Sequence, residues 1–572
     1  MNFPMHVLRL ARVADFLPAT RVFRLVASIF VLWFVTSGTF VTAQTAVWTY
    51  HYDNKRTGWN SQETELTPAT VASSSFGLLQ SVPLDDQVDA QPLVVPNVVI
   101  TTGNHQGEHD VVYVATESNT VYAIDVHTGI VLLHPNFGAP VPLPLGCTNN
   151  GPNVGINSTP VIDLAKKTLY VITYTNDSSG PAYRIHALDL GSLTDKVAPL
   201  LVTASHTLTD GTTFTFDATY HRQRPGLLLL DGIIYAGIGS FCDFGANLSR
   251  GWLMGWSAGS LTPLPANQML DTQATSFLSF FLSAIWMSGY APAADDAGNI
   301  LFVTGNSDPF GNTYDGVTNI QESVVKVSPD LGTVLDLFTP SNVVALDQFD
   351  ADFGSGGVMV LPDQPGSKPH LAVAAGKAAL MFLMDGDNLG GFSTIKNHVL
   401  GSYFVGPCWC GESYFLDPSD GLARVVSSGG RAVKVWKLQS SPSPALTNVS
   451  TSPSIGGGQT GGFFTVVSSN GNANPIVWAV SHPPNRSLSS PITLFAFDPE
   501  SGSTMKQLFH STAGFWPNVG GNANVVPVVA NGQVFVASNR LLEIFGLKAN
   551  SASSTSSPPE PADMTKHEGG RQ

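Results

Sequence analysis

Charged residues are scarce in this chain of 572 residues, and basic residues are the scarcer kind. Asp, Glu, Lys and Arg make up 12% of the sequence, which is about half of the usual share in a soluble globular protein. The 27 basic residues are outnumbered by 42 acidic residues, and the formal net charge is -15. A surface that binds phosphate groups needs an excess of positive charge. We therefore expect no nucleic-acid partner.

Only four cysteines occur: Cys147, Cys242, Cys408 and Cys410. Four cysteines allow three disulfide pairings, and the spacing does not choose among them. We favour Cys147 with Cys242 and Cys408 with Cys410, which an oxidising compartment would permit. Because a Cys-x-Cys ring is small and strained, two free thiols at positions 408 and 410 are the alternative.

Several catalytic signatures are missing. The chain has no Gly-x-Ser-x-Gly turn of the kind that exposes a hydrolase serine. The glycine run at residues 456–458 is not followed by Gly-Lys-Ser or Gly-Lys-Thr, so it is not a phosphate loop. Asp347, Asp350 and Asp352 form an acidic run that could bind Ca²⁺, although we favour a solvated loop.

A long apolar run occurs only near the N-terminus. Residues 25–35 are apolar, follow an arginine-containing leader, and are followed by Val-Thr-Ala at residues 41–43. This order is typical of a signal peptide with its cleavage site, so we predict a signal peptide at residues 1–43. The mature protein would then be secreted or periplasmic, with no membrane span. Retention of the apolar run as an anchor is the alternative.

What the chain does have is an internal repeat of about 40 to 50 residues, the period of propeller blades. The first copy has strand patterns at residues 91–95, 111–116, 120–125 and 130–133. Its 55 glycines and 39 prolines suit short strands joined by tight turns. Further copies begin near the following residues: 159, 225, 291, 356, 423, 463 and 525.

These eight copies predict an all-β fold, an eight-bladed β-propeller of four-stranded antiparallel blades over residues 44–548. The last copy has no outer strand, and residues 78–84 form an unassigned strand before the first copy. We therefore expect this N-terminal strand to complete the last blade and close the ring, which protects its sheet edges. Two stacked sandwiches would explain neither the period nor the missing strand. Residues 549–572 are rich in Ser and Pro and predict a disordered tail.

The turn Ala-Ile-Asp-Val-His-Thr-Gly at residues 123–129 resembles the repeat of pyrroloquinoline-quinone (PQQ) propellers, where Ala-x-Asp-x-x-x-Gly precedes a Trp. Residues 496–502 match it a second time. A group of secreted bacterial proteins known only by this repeat is similar at further segments: 50–58, 90–92, 115–117, 239–243 and 354–357. The resemblance covers nearly the whole chain and implies the fold far more strongly than an activity.

The resemblance makes PQQ and Ca²⁺ candidate cofactors, because the quinoprotein alcohol dehydrogenases of this family use both. Two features depart from the family. Leu132 and Leu133 stand where the Trp of the repeat would follow the turn, and Trp409 separates Cys408 from Cys410, whereas the dehydrogenases have adjacent cysteines beside the quinone. Their calcium-binding and base residues have no match here, so catalytic and metal-binding residues stay unassigned.

Residues just before the inner strands of a propeller surround its axis and converge there. Arg there can bind carboxylates, Trp can stack on a planar ring, and Asp with Asn can coordinate Ca²⁺. The alternative is the ordinary polar lining of a water-filled channel. At this position we predict the following cofactor-binding residues: Gln91, Arg224, Trp286, Asp352 and Asn522.

Two further candidates lie outside these linkers. Glu117 follows a strand with small residues, and its carboxylate could bind a ligand or accept hydrogen bonds from backbone N–H groups of the next blade. Lys377 could reach an acid or a quinone oxygen, or form a surface salt bridge.

Three functions fit these features. The leading hypothesis is an exported binding or scaffold propeller without enzyme activity, for a small molecule of unknown identity. The second is a PQQ- and Ca²⁺-dependent dehydrogenase that oxidises an alcohol or a sugar. The third is an envelope propeller that holds partner proteins. We expect a monomer in each case.

Overall fold

The structure is a computed structural model. It describes the following residues: 44–149, 151–274, 280–309, 314–455, 461–481, 490–516 and 525–548. All of them belong to one compact unit that begins at Gln44. The predicted signal peptide, the predicted tail and Asn522 lie outside the described residues. Among the described residues, no helix is both long enough and apolar enough to cross a membrane.

Eight small antiparallel sheets follow one another along the described chain and form the predicted eight-bladed propeller. Blade 1 contains Leu93–Ile100, Gly107–Ala115, Val121–Asp125 and Val131–Leu133. Blade 2 contains Val161–Asp163, Thr168–Asp177, Gly180–Asp189 and Leu200–Leu201. Blade 3 contains His221–Arg222, Leu228–Leu230, Ile233–Ser240, Trp252–Ser257 and Gln268–Met269. Blade 4 contains Ala293–Ala294, Ile300–Val303, Val324–Val327, Val334–Thr339 and Gly391–Phe392.

The second half of the ring repeats this order from the inner strand outward. Blade 5 contains Val358–Val360, Leu371–Ala375, Leu380–Asp385 and Gly401–Phe404. Blade 6 contains Ser413–Leu416, Ala423–Ser427, Lys434–Gln439 and Ala445–Thr451. Blade 7 contains Thr465–Asn470, Ala473–Val480, Ser490–Asp498 and Lys506–Trp516. Blade 8 contains Val528–Ala530, Gln533–Ser538, Leu541–Leu547 and the early strand Phe76–Pro83.

Short elements connect the blades. Two hairpins lie outside them, Val141–Pro142 with Asn153–Val154 and Ser205–Thr207 with Thr213–Thr215. The described helices are the α-helices Pro68–Val71 and Val343–Gln348 and the 3-10 turns Pro144–Gly146, Met287–Gly289 and Phe353–Ser355.

The predicted ring closure is confirmed. Strand Phe76–Pro83 pairs antiparallel with Leu541–Leu547, and Leu78 lies opposite Phe545. Phe76 is buried and its ring packs against Phe509, with a centroid separation of 4.8 Å. The first strand of the ring therefore covers the edge that the last blade would otherwise expose.

Blade 6 is the blade whose inner strand the repeat pattern did not reveal. The pattern placed the start of this blade at Ala423, which is the second strand, whereas the inner strand is Ser413–Leu416. This strand is only four residues long and follows the Cys-Trp-Cys-Gly segment instead of a proline. A strand this short carries little periodic signal.

The apolar core lies between neighbouring blades. One buried cluster joins Phe415 and Val426 of blade 6 to Val467 and Val477 of blade 7. Because side chains alternate between the two faces of a strand, each blade presents apolar residues to both of its neighbours. The sheets are therefore buried on both faces.

Residues 45–63, which we call the strap, bind the innermost strands around the whole ring. The Val47 N–H donates to the Val94 carbonyl of blade 1 (2.7 Å), and the Ile162 N–H of blade 2 donates to the Trp48 carbonyl (2.8 Å). On the opposite side, the Tyr414 N–H of blade 6 donates to the Thr57 carbonyl (2.8 Å). The strap thus visits the blades in ring order.

The remaining blades are bound in the same way. The Ala294 N–H of blade 4 donates to Asn54, and the Val360 N–H of blade 5 donates to Lys55 (2.7 and 3.0 Å). Trp59–Asn60 adds a parallel strand to blade 7. Side chains at both ends of the strap reach blade 8, where Thr45 bonds Asn531 and the Asn60 amide donates to the Val529 carbonyl (3.0 Å). The strap therefore fills the axis and closes the channel at this level.

Arg56 is the centre of the strap. Its side chain is fully buried, and its guanidinium donates to the carbonyls of Pro292 (2.8 Å) and Leu227 (3.5 Å) and to the Thr49 hydroxyl (2.8 Å). It also donates to two carbonyls of the strap itself. One side chain thus joins blades 3 and 4 to the turn that the strap makes on the axis.

We expect Arg56→Met to destabilise the whole ring. The change leaves buried carbonyls without donors, and we expect a loss of about 3 to 5 kcal/mol in the free energy of unfolding. Guanidinium chloride unfolding followed by circular dichroism measures this loss. The control is Arg184→Met, which breaks a part-exposed pair with Asp177 and should cost less than about 1 kcal/mol. Equal midpoints for the two variants would contradict a central role for Arg56.

Candidate functional site

Side chains from several blade linkers meet on the axis, at the end of the channel where the inner strands begin. We call this site the axial recess and define it by Arg222, Arg224, Trp286, Asp352 and Lys377. Arg222 ends the short strand His221–Arg222 of blade 3, and Arg224 lies between this strand and Leu228–Leu230. Trp286 precedes blade 4, and Asp352 precedes blade 5. Lys377 lies in the turn between the second and third strands of blade 5.

Trp286 is the half-buried centre of the recess. The Arg224 guanidinium lies 5.6 Å from the centroid of its ring, and the Lys377 ammonium lies 5.5 Å from the same centroid. Lys377 also lies 5.7 Å from the ring of Trp409. These are cation–π distances, so two positive charges and two indole rings form one continuous cluster.

Glycines allow this cluster to be compact. A side chain at Gly305 would place its Cβ 2.9 Å from the Trp286 indole nitrogen. A Cβ at Gly354 would come within 2.4 Å of the Gly305 backbone nitrogen. Both positions therefore require glycine, because no larger residue could hold the indole against the next linker.

Two arginines in the recess have N–H groups without a hydrogen-bond partner. Arg222 and Arg224 are 3% and 6% exposed, yet Nη2 of Arg222 and both Nε and Nη2 of Arg224 have no acceptor. Burial, followed by the charge of Arg222, lowers the pKa of Arg224 to about 9, so the group stays charged at neutral pH. Buried donors without acceptors are costly, so these N–H groups are suited to bind a carboxylate or a carbonyl oxygen.

A buried network supports the arginines from behind. The Asn157 amide donates to Asp89 (2.5 Å) and to Glu117 (2.6 Å), and its carbonyl oxygen accepts from Nε of Arg222 (2.9 Å). Burial, followed by the neighbouring Asp89 carboxylate, raises the pKa of Glu117 well above its ordinary value. The protonated form of Glu117 is therefore favoured.

The opposite side of the recess is acidic. Lys377 forms ion pairs with Asp352 (2.6 Å) and Asp350 (2.7 Å). Near them, desolvation, followed by the charges of Asp352 and Asp350, raises the pKa of Asp243 to about 6. Burial and the charge of Asp352 also raise the pKa of Glu322, so several carboxylates interact on this side.

The structure brings four of the predicted site residues together: Arg224, Trp286, Asp352 and Lys377. Gln91 is instead bonded to the strap, because its side chain accepts from the His51 N–H and donates to the Thr49 carbonyl. Glu117 accepts from the Gly155 N–H of the linker to blade 2. Asn522 lies outside the described residues. Ligand binding by the predicted residues stays a prediction.

Sequence reasoning missed some of the recess. Asn157 and Asp243 carried no pattern of their own, although Asp243 ends the similar segment 239–243. The favoured solvated loop at the acidic run is wrong for two of its three members, because Asp347 and Asp352 are 2% and 4% exposed. Asp347 accepts from the Ser307 N–H (2.9 Å), and Asp352 accepts from the Asn306 N–H (3.0 Å).

The favoured disulfide pairing is confirmed. Cys147 is bonded to Cys242, which places the disulfide next to Asp243. Cys408 is bonded to Cys410, and Trp409 between them is the ring that Lys377 contacts. Both disulfides therefore lie at the recess and hold loops that line it.

A metal ion in the recess would need several oxygen ligands placed together. No three His, Cys, Asp or Glu side chains of the described residues are placed to hold one metal ion. On the other side of the strap a separate cavity of about 490 Å³ is lined by strap residues 53–55 and by Asp231, Asp295 and Asp296. The strap thus separates two openings of the axis.

This protein is an eight-bladed propeller. A strap crosses its axis, and a polar recess lies beside the strap. No protein-family model matches the chain, and no curated protein does. Among solved structures, a europium-containing methanol dehydrogenase is 11% identical, with a TM-score of 0.55 over 88% of this chain and 98% of that one.

A quinohemoprotein alcohol dehydrogenase, ADHIIG from Pseudomonas putida HK5, is 12% identical, with a TM-score of 0.50 over 91% of this chain and 82% of that one. BamB from Moraxella catarrhalis is 10% identical, with a TM-score of 0.39 over 83% of this chain and 98% of that one. This chain therefore has the PQQ-type propeller fold of the quinoprotein alcohol dehydrogenases. At these identities the likeness concerns the fold alone.

We expect Lys377→Met to destabilise the protein more at pH 8 than at pH 5. Without the ammonium group, the remaining carboxylates repel each other, so their pKa values rise and the folded state takes up protons. Stability of the variant then increases as the pH falls, because the folded state binds more protons than the unfolded state. At pH 8 we expect the free energy of unfolding of the variant to be about 3 kcal/mol lower than that of the wild type.

Urea unfolding of the variant and the wild type at both pH values measures this effect. The control is Lys166→Met, which removes an exposed partner of Asp163 and should cost less than about 1 kcal/mol at either pH. If Lys377→Met lowers the free energy of unfolding by the same amount at pH 5 and pH 8, the pKa values of these carboxylates do not depend on Lys377.

Proposed function

We propose that this protein is an exported binding protein that takes up a small planar anion in the axial recess. The observation that carries the proposal is the pair of buried arginines with unpartnered N–H groups. A bound carboxylate would accept those hydrogen bonds, and charge-assisted bonds of this kind are the strong ones. Trp286 beside Arg224 supplies a flat surface on which a planar ligand can stack.

Export is supported by two features. The predicted signal peptide precedes the first residue of the propeller, and both disulfides require an oxidising compartment to persist. We therefore assign the protein to the periplasm or the extracellular space.

A dehydrogenase that uses PQQ and Ca²⁺ is the second candidate. It is favoured by the position of Lys377, which contacts both Trp286 and the Trp409 of the disulfide ring. The anionic, planar quinone fits the arginines and the indole. Ca²⁺ does not fit the described residues, because Lys377 already pairs the recess carboxylates Asp350 and Asp352. We therefore derive no reaction through this cofactor.

Calorimetric titration of the full chain with two planar anions, PQQ and indole-3-propionate, tests the proposal. We expect both to bind without Ca²⁺. Arg224→Gln should weaken binding about tenfold or more, because it removes a charge-assisted hydrogen bond. The matched control is Arg184→Gln, whose side chain lies away from the recess and pairs with Asp177.

Three results would count against the proposal. Failure of both anions to bind would overturn it, and so would unchanged binding in Arg224→Gln. Binding of PQQ that requires Ca²⁺, together with dye-linked oxidation of an alcohol or a sugar, would replace it with the dehydrogenase.

A further inference from the structure

A third buried arginine with unpartnered N–H groups, Arg250, lies beside the outermost strand of blade 3. Its side chain is 0% exposed, and its guanidinium donates to Asp271, which follows the strand Gln268–Met269. The centroid of the Phe281 ring lies 3.5 Å from the guanidinium carbon, and that of the Phe214 ring lies 4.7 Å from it. Aromatic rings therefore occupy the space beside the guanidinium, a cation that tolerates such surroundings because it is weakly hydrated.

The ion pair that Arg250 forms with Asp271 is a loose one. Nη1 of Arg250 donates to the Asp271 backbone carbonyl at 2.7 Å, but it reaches the carboxylate oxygen Oδ1 only at 3.4 Å. The Gln273 N–H donates to the same Oδ1 at 2.9 Å. The second oxygen, Oδ2, is buried and has no hydrogen-bond partner among the described residues. A buried ion pair with such geometry compensates poorly for the desolvation of its two charges.

Arg250 also leaves one edge of its guanidinium without an acceptor. Nε and Nη2 have no hydrogen-bond partner among the described residues. The N–H groups of these two nitrogens point in the same direction in the plane of the guanidinium, which is the fork that binds an anion. The hydroxyl of the preceding residue, Ser249, is 0% exposed and has no partner in the described chain either. Buried donors thus outnumber the acceptors that the protein supplies to them.

Protonation of Asp271 would leave Arg250 without a counter-ion. Burial raises the pKa of Asp271 to about 7, against the hydrogen bond from Gln273 and the charge of Arg250. Burial lowers the pKa of Arg250 to about 10, so the guanidinium stays charged at neutral and acidic pH. Below pH 7 the pair therefore carries one positive charge. An isolated buried charge is costly, and an anion that binds it removes this cost.

Two other titratable groups face this pair, and neither changes its charge near neutral pH. His221 accepts from the Arg250 backbone N–H at 3.1 Å, and burial lowers its pKa to about 4, so it is neutral. Asp315 contributes a negative charge near Asp271. Despite its partial burial, the pKa of Asp315 lies below the ordinary value, because the Thr318 hydroxyl and neighbouring backbone N–H groups donate to it.

We propose that Arg250 binds a small monovalent anion, chloride, at the edge formed by Nε and Nη2, and that this anion replaces Asp271 as the counter-ion when the carboxylate takes up a proton. The size follows from burial, because Ser249, Arg250 and Asp271 are all 0% exposed. The site uses none of the residues of the axial recess, so the inference does not depend on the proposed function.

Thermal unfolding of the full chain in sodium chloride and in sodium gluconate, at equal ionic strength, tests the proposal. At pH 5 we expect chloride to raise the Tm of the wild type by about 2 °C over gluconate, because it binds the folded state alone. At pH 9 we expect a negligible rise, because Asp271 is ionised and serves as the counter-ion. Diffraction from crystals soaked in bromide at pH 5 should show an anomalous peak beside Nε and Nη2 of Arg250.

Three variants assign the effect to this pair. Asp271→Asn keeps the shape of the side chain but removes its charge, so chloride should raise the Tm at pH 9 as much as at pH 5. Asp177→Asn is the matched control, because Asp177 pairs with Arg184 at a part-exposed position, and it should respond as the wild type does. Arg224→Gln, a change in the axial recess, should also keep the response of the wild type.

Four results would overturn the inference. They are equal Tm values in chloride and gluconate at pH 5, an equal rise at both pH values in the wild type, no rise at pH 9 in Asp271→Asn, and no bromide at Arg250. Loss of the response in Arg224→Gln would place the anion in the axial recess instead. Because none of these measurements uses a planar anion, their failure leaves the proposed function untouched.

Discussion

The hydrogen bonds between the strap and the eight inner strands are the constraint on which the rest of this structure depends. A propeller leaves the inner edge of each blade facing its axis, and the N–H and C=O groups on those edges need partners. Here one segment of the chain supplies them around the whole ring. Arg56 satisfies five oxygens at once, so the strap and the blades cannot be packed independently.

The same segment creates the site. Because the strap bonds to the inner strands around the ring, polar side chains beside those strands are held close to one another. In such a place water is limited and charges interact strongly. Some of these groups have hydrogen-bond partners within the protein. The Asn157 side chain donates to Asp89 and Glu117 and accepts from Nε of Arg222. The structure leaves Nη2 of Arg222 and both Nε and Nη2 of Arg224 without a partner, and the proposed ligand would bind there.

The similarity to the quinoprotein dehydrogenases concerns the fold and does not extend to the chemistry of the site. Trp409 separates the two cysteines of one disulfide, and Lys377 is paired with the carboxylates of Asp350 and Asp352. An eight-bladed ring offers the same location to many ligands, and chemistry is decided by the linkers. The linkers of this chain place two arginines, a tryptophan and a lysine beside one another.

Sequence alone determined the repeat, the blade number and the closure by residues 78–84, because each depends on local periodicity. It left three disulfide pairings open, and the structure has the one that we favoured. It also indicated Arg224, Trp286, Asp352 and Lys377, since residues before inner strands must approach the axis. Only the tertiary structure showed that the Gln91 side chain forms hydrogen bonds to the strap and that Asp243 interacts with Asp350 and Asp352. It also showed that the strap binds every blade. Those contacts join residues far apart in the chain, and hydrogen bonds to backbone groups leave no periodic trace in the sequence.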